Sequence, residues 1–151
     1  MYSRILVPVD GSAPSRAGLK EAIALARDGG GTIVALNVVS ELALVTAPEG
    51  FVAYRELADA LAVAGRAIVN EAAKEAEKSG VKFETQVIDV GVSPVSDAIV
   101  EQVGQQRCDL VVMGTHGRRG LKRLTLGSDA ELVVRHAPVP VLLVKAPEAA
   151  S

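Results

Sequence analysis

The sequence predicts a single α/β domain, a parallel β-sheet with helices packed on both faces. Three observations lead there. The 151 residues fit one domain, which runs to roughly 100–200 residues. At 49% hydrophobic and 23% charged, the composition is that of a folded globular domain, not a disordered chain. Finally, five short runs rich in Val, Ile and Leu alternate with longer helical patterns. Several of these runs are apolar at nearly every position, which means burial on both faces of a sheet. The alternation implies βαβ units with right-handed crossovers.

The elements follow in order. A strand over residues 5–9 leads into the turn Asp10-Gly11-Ser12. A helix over 13–28 carries Leu19, Ala22, Ile23 and Ala26 at i, i+3, i+4, i+7 on one stripe. Ser12 is its N-cap and Gly29-Gly30-Gly31 its stop. A strand at 32–39 gives way to the longest loop, 40–51, with Pro48 and Gly50. The Ala-rich stretch 54–79 is a long helix closed by Gly80, its Glu71/Lys74 and Glu75/Lys78 pairs forming a solvated face. A third strand covers 82–90. Ser93 then caps a helix with Pro94 at its first position and an inward stripe of Val95, Ile99 and Val103. The fourth strand is 109–113. Ser128-Asp129-Ala130-Glu131 is a capping box opening a short helix that ends near His136. A fifth strand, 139–144, starts among Pro138 and Pro140. There is no internal repeat or linker, so residues 1–151 form one domain.

Composition also excludes. Sixteen Lys and Arg against 18 Asp and Glu leave a net charge of −2, no global basic field for nucleic acid. Aromatics are 3% with no Trp, a poor base-stacking platform. The lone Cys108 excludes an internal disulfide framework and a cysteine-rich zinc site. The two histidines, His116 and His136, have no obvious partners for another metal site. No stretch of 18 apolar residues predicts a membrane span. The apolar start ends at Asp10, too soon for a signal peptide. The expectation is a cytoplasmic protein bound to neither membrane nor nucleic acid.

Parallel α/β sheets bind ligands at the carboxyl ends of their strands. After the first strand that place holds Asp10-Gly11-Ser12. After the fourth it holds a richer loop running from Gly114 through Gly117 and Gly120 to Gly127-Ser128. Gly114 and Gly117 remove side chains where a backbone must turn and an anion approach closely. Gly127-Ser128 stands at a helix start, whose N–H groups and dipole attract anions. Between them Arg118, Arg119, Lys122 and Arg123 put four positive charges within six residues, a natural counter-charge for a triphosphate. Each feature alone also reads as turn, cap or solvated loop; their combination at a strand-to-helix junction favours phosphate. A Walker loop is absent, since position 119 is Arg. A dinucleotide-binding Gly-x-Gly-x-x-Gly is absent too, since the first loop has only Gly11.

Gly114-x2-Gly117-x9-Gly127-Ser128, after the strand ending Val112-Met113, resembles the ATP-binding signature of the universal stress protein family. The opening Ile5-Leu-Val-Pro-Val-Asp10-Gly-Ser and the closing Ala137-Pro-Val-Pro-Val-Leu-Leu-Val-Lys145 are similar to that family as well, so the resemblance covers essentially the whole chain. It implies a Rossmann-like, doubly wound sheet of five parallel strands in the order 3-2-1-4-5. Strands 1 and 4 would then flank one crevice. By matching position, Asp10 would contact the adenosine end, with Pro8 and Val9 lining that side. Val38 would meet the adenine edge through main-chain groups, and Met113 would pack on the base. Gly114, Gly117, Gly127 and Ser128 would hold the phosphates. Arg118 and Arg119 are candidates for screening phosphate charge, and Mg²⁺ would accompany ATP. The chain departs from the family at Asp129, where ATP-binding members often have a small apolar residue. A carboxylate there suits the helix dipole but would repel a phosphate if it faced one.

The resemblance implies an ATP-dependent regulator in the stress response, a homodimer through the strand 139–144 and an unidentified regulatory protein partner. Slow hydrolysis or autophosphorylation would accompany binding at most, since no residue stands out as a general base and none is assigned as catalytic. Two alternatives stay open. One is a dimeric interaction module that binds no nucleotide. The other is an adenylating enzyme of the adenine-nucleotide α-hydrolase-like group, which would need Ser-Gly-Gly-x-Asp-Ser or His-x-Gly-His near the first strand, where this chain reads Asp10-Gly-Ser-Ala-Pro-Ser.

Overall fold

The computed structural model describes residues 1–41, 51–116 and 126–147, with 51–53 as backbone alone. In chain order the elements are β1 (Arg4–Pro8), α1 (Ala13–Gly29), β2 (Thr32–Val39), α2 (Phe51–Lys78), β3 (Lys82–Asp89), α3 (Val95–Gln105), β4 (Leu110–Gly114), α4 (Ser128–His136) and β5 (Val141–Val144). The strands form one parallel sheet in the order β3-β2-β1-β4-β5, as the family resemblance implies.

The alternation of side chains along each strand decides what covers each face. Ile5, Val7, Ile33, Ala35 and Val112 pack against Leu19, Ala22, Val69 and Ala72, so α1 and α2 cover one face. Leu6, Val34, Leu36, Val111 and Met113 pack against Ile99, Val103, Ala130 and Val133, so α3 and α4 cover the other. Burying each large aliphatic side chain in these layers contributes about 1.5–3 kcal/mol. The stripe read on the first helix is the buried one, and Gly30 ends that helix in the left-handed region at φ 73°.

Besides one-residue shifts at ends of β1, α1, α2, β3 and β4, four element starts differ from the sequence reading. The second helix begins at Phe51, not 54, taking in the end of the expected loop; residues 42–50 of that loop lie outside the described residues. The α3 N-cap is Pro94 with ψ 139°, and no side chain caps it. Ser93 instead belongs to the preceding turn, donating its N–H to the Val90 carbonyl. The expected capping box fails similarly. Gly127 is the α4 N-cap and Ser128 the first helical residue, because the Gly127 carbonyl already accepts the Glu131 N–H at 3.0 Å. The last strand opens at Val141, not 139. Proline has no N–H for the ladder, and Pro140 contributes only its carbonyl, which accepts from the Val111 N–H at 3.0 Å.

Candidate functional site

The strand order reverses between β1 and β4, and the crevice outside the carboxyl ends of such neighbours is where doubly wound sheets bind ligands. From β1, the Val9 N–H still donates to the Leu36 carbonyl at 2.8 Å. The chain then leaves the sheet through Gly11, whose φ of 81° lies in the left-handed region. Three polar side chains fix this turn. Asp10 Oδ1 accepts the Ser12 N–H at 2.9 Å, Ser12 Oγ accepts the Ser15 N–H at 3.3 Å, and the buried Ser15 Oγ accepts the Asp10 N–H at 3.0 Å. Asp10 thus serves its own turn with one carboxylate oxygen, and Ser12 caps α1 as expected.

Beside it, β4 ends at Gly114. A Cβ there would lie 2.6 Å from the Pro14 carbonyl carbon and oxygen, and one on Gly18 would lie 3.2 Å from the Gly114 nitrogen. The start of α1 therefore rests directly on the β4 backbone. This gives Gly114 a packing role in addition to the close anion approach read from sequence.

The chain past β4 returns to the same place. The Thr115 N–H donates to the Val144 carbonyl at 3.0 Å, and the Thr115 carbonyl accepts the Gly127 N–H at 2.8 Å. That bond sets the N-terminus of α4 at the end of β4. The N-cap Gly127 has no side chain to offer the helix start, and the first turn of α4 carries the carboxylates of Asp129 and Glu131. Ser128 and Asp129 are both exposed there. Gly117, Arg118 and Arg119 lie outside the described residues.

Alternation sorts the adenosine-side candidates. Pro8 follows Leu6 in period and Met113 follows Val111, so both belong to the face under α3 and α4, where Val38 is partly buried. Val9 is on the other face, buried against α1 and α2, and its side chain does not join them. In β2, Leu36 accepts from β1 while Val39 accepts from the Val90 N–H on the β3 side. Peptide groups alternate in direction along a strand, so the Val38 N–H and carbonyl point toward β1, beyond the place where that strand has ended.

The sequence reading missed Asn37, which is buried and donates from Nδ2 to the Val9 carbonyl at 2.8 Å. Its signal was available: a carboxamide inside the apolar run 32–39. Pro14 and Gly18 were missed as well, because their partner lies on a distant strand.

Four perturbed acid–base groups cluster at the opposite, amino-terminal edge of the sheet. Arg4 and Glu84 form two bonds of 2.9 and 2.8 Å. Hydrogen bonding to Arg4 holds the Glu84 carboxyl below its ordinary range, and the same bond raises Arg4. At Asp109, burial pushes upward but is outweighed by the Ser3 and Arg4 backbone N–H groups, at 2.8 and 3.0 Å, so that carboxyl is also lowered. Burial pushes the Cys108 thiol up to about 11. These groups serve folding, far from the crevice.

The family model described as the universal stress protein family matches residues 1–145. A universal stress protein of Methanocaldococcus jannaschii is 37% identical over 149 residues, covering 98% of this chain and 85% of that one. Among solved structures, a hypothetical protein of the same organism, whose biochemical function was assigned from its structure, aligns with TM-score 0.86 at 28% identity over 99% of both chains. A universal stress protein in complex with cAMP aligns with TM-score 0.69 at 22% identity, over 97% of this chain and 98% of that one. An Arabidopsis thaliana family member with AMP bound aligns with TM-score 0.70 at 17%, over 96% and 92%. These last two show likeness of fold.

Proposed function

The chain belongs to the universal stress protein family, and from that premise we propose that it binds ATP in the β1–β4 crevice and acts as a nucleotide-dependent regulator in the stress response. One observation carries the reading: the Asp10 turn, the Val38 peptide directed toward β1 and the Gly127-capped start of α4 all lie at the carboxyl-end side of the sheet's switch point. Neighbours of the same fold bind AMP and cAMP, which supports an adenine nucleotide.

In this reading Pro8, Val38 and Met113 hold the base and Asp10 the ribose. Gly114, Gly117, Gly127 and Ser128 face the phosphates through backbone N–H groups. Arg118 and Arg119 screen their charge. Among the described residues no cluster of three His, Cys, Asp or Glu side chains could cage a metal. In the proposed complex Mg²⁺ arrives on the triphosphate, as it commonly does. The ordered nucleotide complex presents a changed surface to a regulatory protein partner, a population shift.

We propose in addition that two copies pair through β5. Among the described residues it hydrogen-bonds to β4 alone, and Leu126, Leu132, Val134 and Leu142 nearby are large apolar side chains left exposed. No helix among the described residues is long and apolar enough to cross a membrane, and a cytoplasmic location is part of the proposal.

Calorimetric titration with Mg-ATP, after stripping co-purified nucleotide, tests the site. Micromolar or tighter binding is expected, weakened at least about tenfold in Gly127→Val, whose Cβ would sit 3.0 Å from the Thr115 carbonyl oxygen. No binding by calorimetry and by a second method would overturn the reading in favour of a module that binds no nucleotide.

A further inference from the structure

In a parallel pair continued past Pro8, the Val9 carbonyl would accept from the Val38 N–H, since each residue bonds to the two positions flanking its partner. The register Pro8↔Leu36 places Asn37 as that partner. The Val9 carbonyl instead accepts from Asn37 Nδ2 at 2.8 Å, inside the core. Resting on the nucleotide reading above, we infer that Asn37 is a positioning residue that ends the β1–β2 ladder one bond early, so that the Val38 N–H and carbonyl stay available to the edge of a purine base.

A second observation shows that this arrangement is built into the fold. Gly65 stands in the middle of α2, where glycine costs about 1 kcal/mol relative to alanine. A Cβ at that position would approach Asn37 Oδ1 to 2.4 Å. The helix leaves a gap in its side-chain surface where the carboxamide sits, and α2 in turn holds the carboxamide against Val9. The Asn37 amide orientation follows from chemistry, since only the NH₂ end can donate to a carbonyl. Asn37 itself lies on the α1/α2 side of the sheet, against Gly65, and not on the face that holds Val38 and Met113. It acts through the Val9 peptide, and through Val9 it also places Asp10, the next residue.

The test has a ligand-free arm and a ligand arm. In the wild-type protein without nucleotide, the Val38 amide is expected to exchange with solvent deuterium at least about tenfold faster than the Leu36 amide on the same side of β2. Equal protection of the two would overturn the inference whatever binds. In the second arm, Asn37→Ala and Asn37→Asp are titrated with ATP and with inorganic tripolyphosphate, after urea denaturation has shown both to be folded. ATP affinity is expected to fall about tenfold and tripolyphosphate affinity to stay within twofold, a split that general destabilisation would not produce. Gly65→Ala, which displaces the carboxamide from the helix side, should show the same split and replaces either variant that fails to fold. ATP binding within twofold of wild type in folded variants would overturn the inference and leave the nucleotide site standing. Failure of wild type to bind ATP would overturn both.

Discussion

At Gly114 two demands meet on one residue. The α1 backbone needs the space a side chain would fill, and the proposed phosphate site needs the same bare backbone. Gly114→Ala must push Pro14 back from 2.6 Å, and backbone yields poorly. The expected cost is about 1–3 kcal/mol, the range for overpacking, read as a lower urea midpoint. Gly104, with open space around the Cβ position, serves as the control and should lose no stability on change to Ala. What the sequence shows at this scale divides by distance along the chain. That Gly114 and Gly127 mark a turn beside a helix is legible locally. That Gly114 also lies against Pro14, and that Asn37 reaches Val9, depends on the register between strands and on helix approach, which no local pattern carries.

The elements were legible wherever a run was long and strictly periodic. All five strands and all four helices stand where alternation and the 3.6-residue stripe place them, and β2 has the predicted bounds. Most other bounds shift by one residue, and two of the larger differences fall at starts governed by a single contact. Gly127 begins α4 because its N–H is held by Thr115, and Pro140 withholds a donor from β5. The strand left at the edge is short and apolar, with Leu142 37% exposed, and such an edge invites pairing with another chain. The proposed dimer should sediment as two copies at micromolar concentration. Leu142→Lys, which sets charge beside charge across the pair, should shift the population toward monomer. A monodisperse wild-type monomer would reject this interface.

Across the whole molecule, the shifted acid–base groups Arg4, Glu84, Cys108 and Asp109 lie at the opposite end of the sheet from the groups proposed to bind nucleotide. Stability should therefore respond to pH through the amino-terminal edge. Glu84 and Asp109 are lower in the folded chain than in the unfolded one, so as pH falls below about 4.5 the unfolded state takes up protons first and stability is lost. Glu84→Gln should flatten part of this acid limb. Cys108 runs the other way. With its thiol raised from 9.0 to about 11, the unfolded state releases its proton first, and stability declines as pH rises across that interval. Urea midpoints at pH 3, 7 and 10 check both signs, and a midpoint unchanged at pH 3 would contradict the assignment of the Arg4–Glu84 and Asp109 contacts. The pairing of β1 with β4 has a further consequence for a chain made from its N-terminus. During vectorial synthesis β1, β2 and β3 emerge first and can associate. The other flank of β1 then waits, apolar and unpaired, until residues 110–114 leave the ribosome. The nascent sheet thus carries a central strand as a temporary border, and closing it brings Asp109 to Ser3 across 106 positions of sequence. Late, long-range closure of this kind slows folding, so this chain is expected to depend on whatever shields that border during translation.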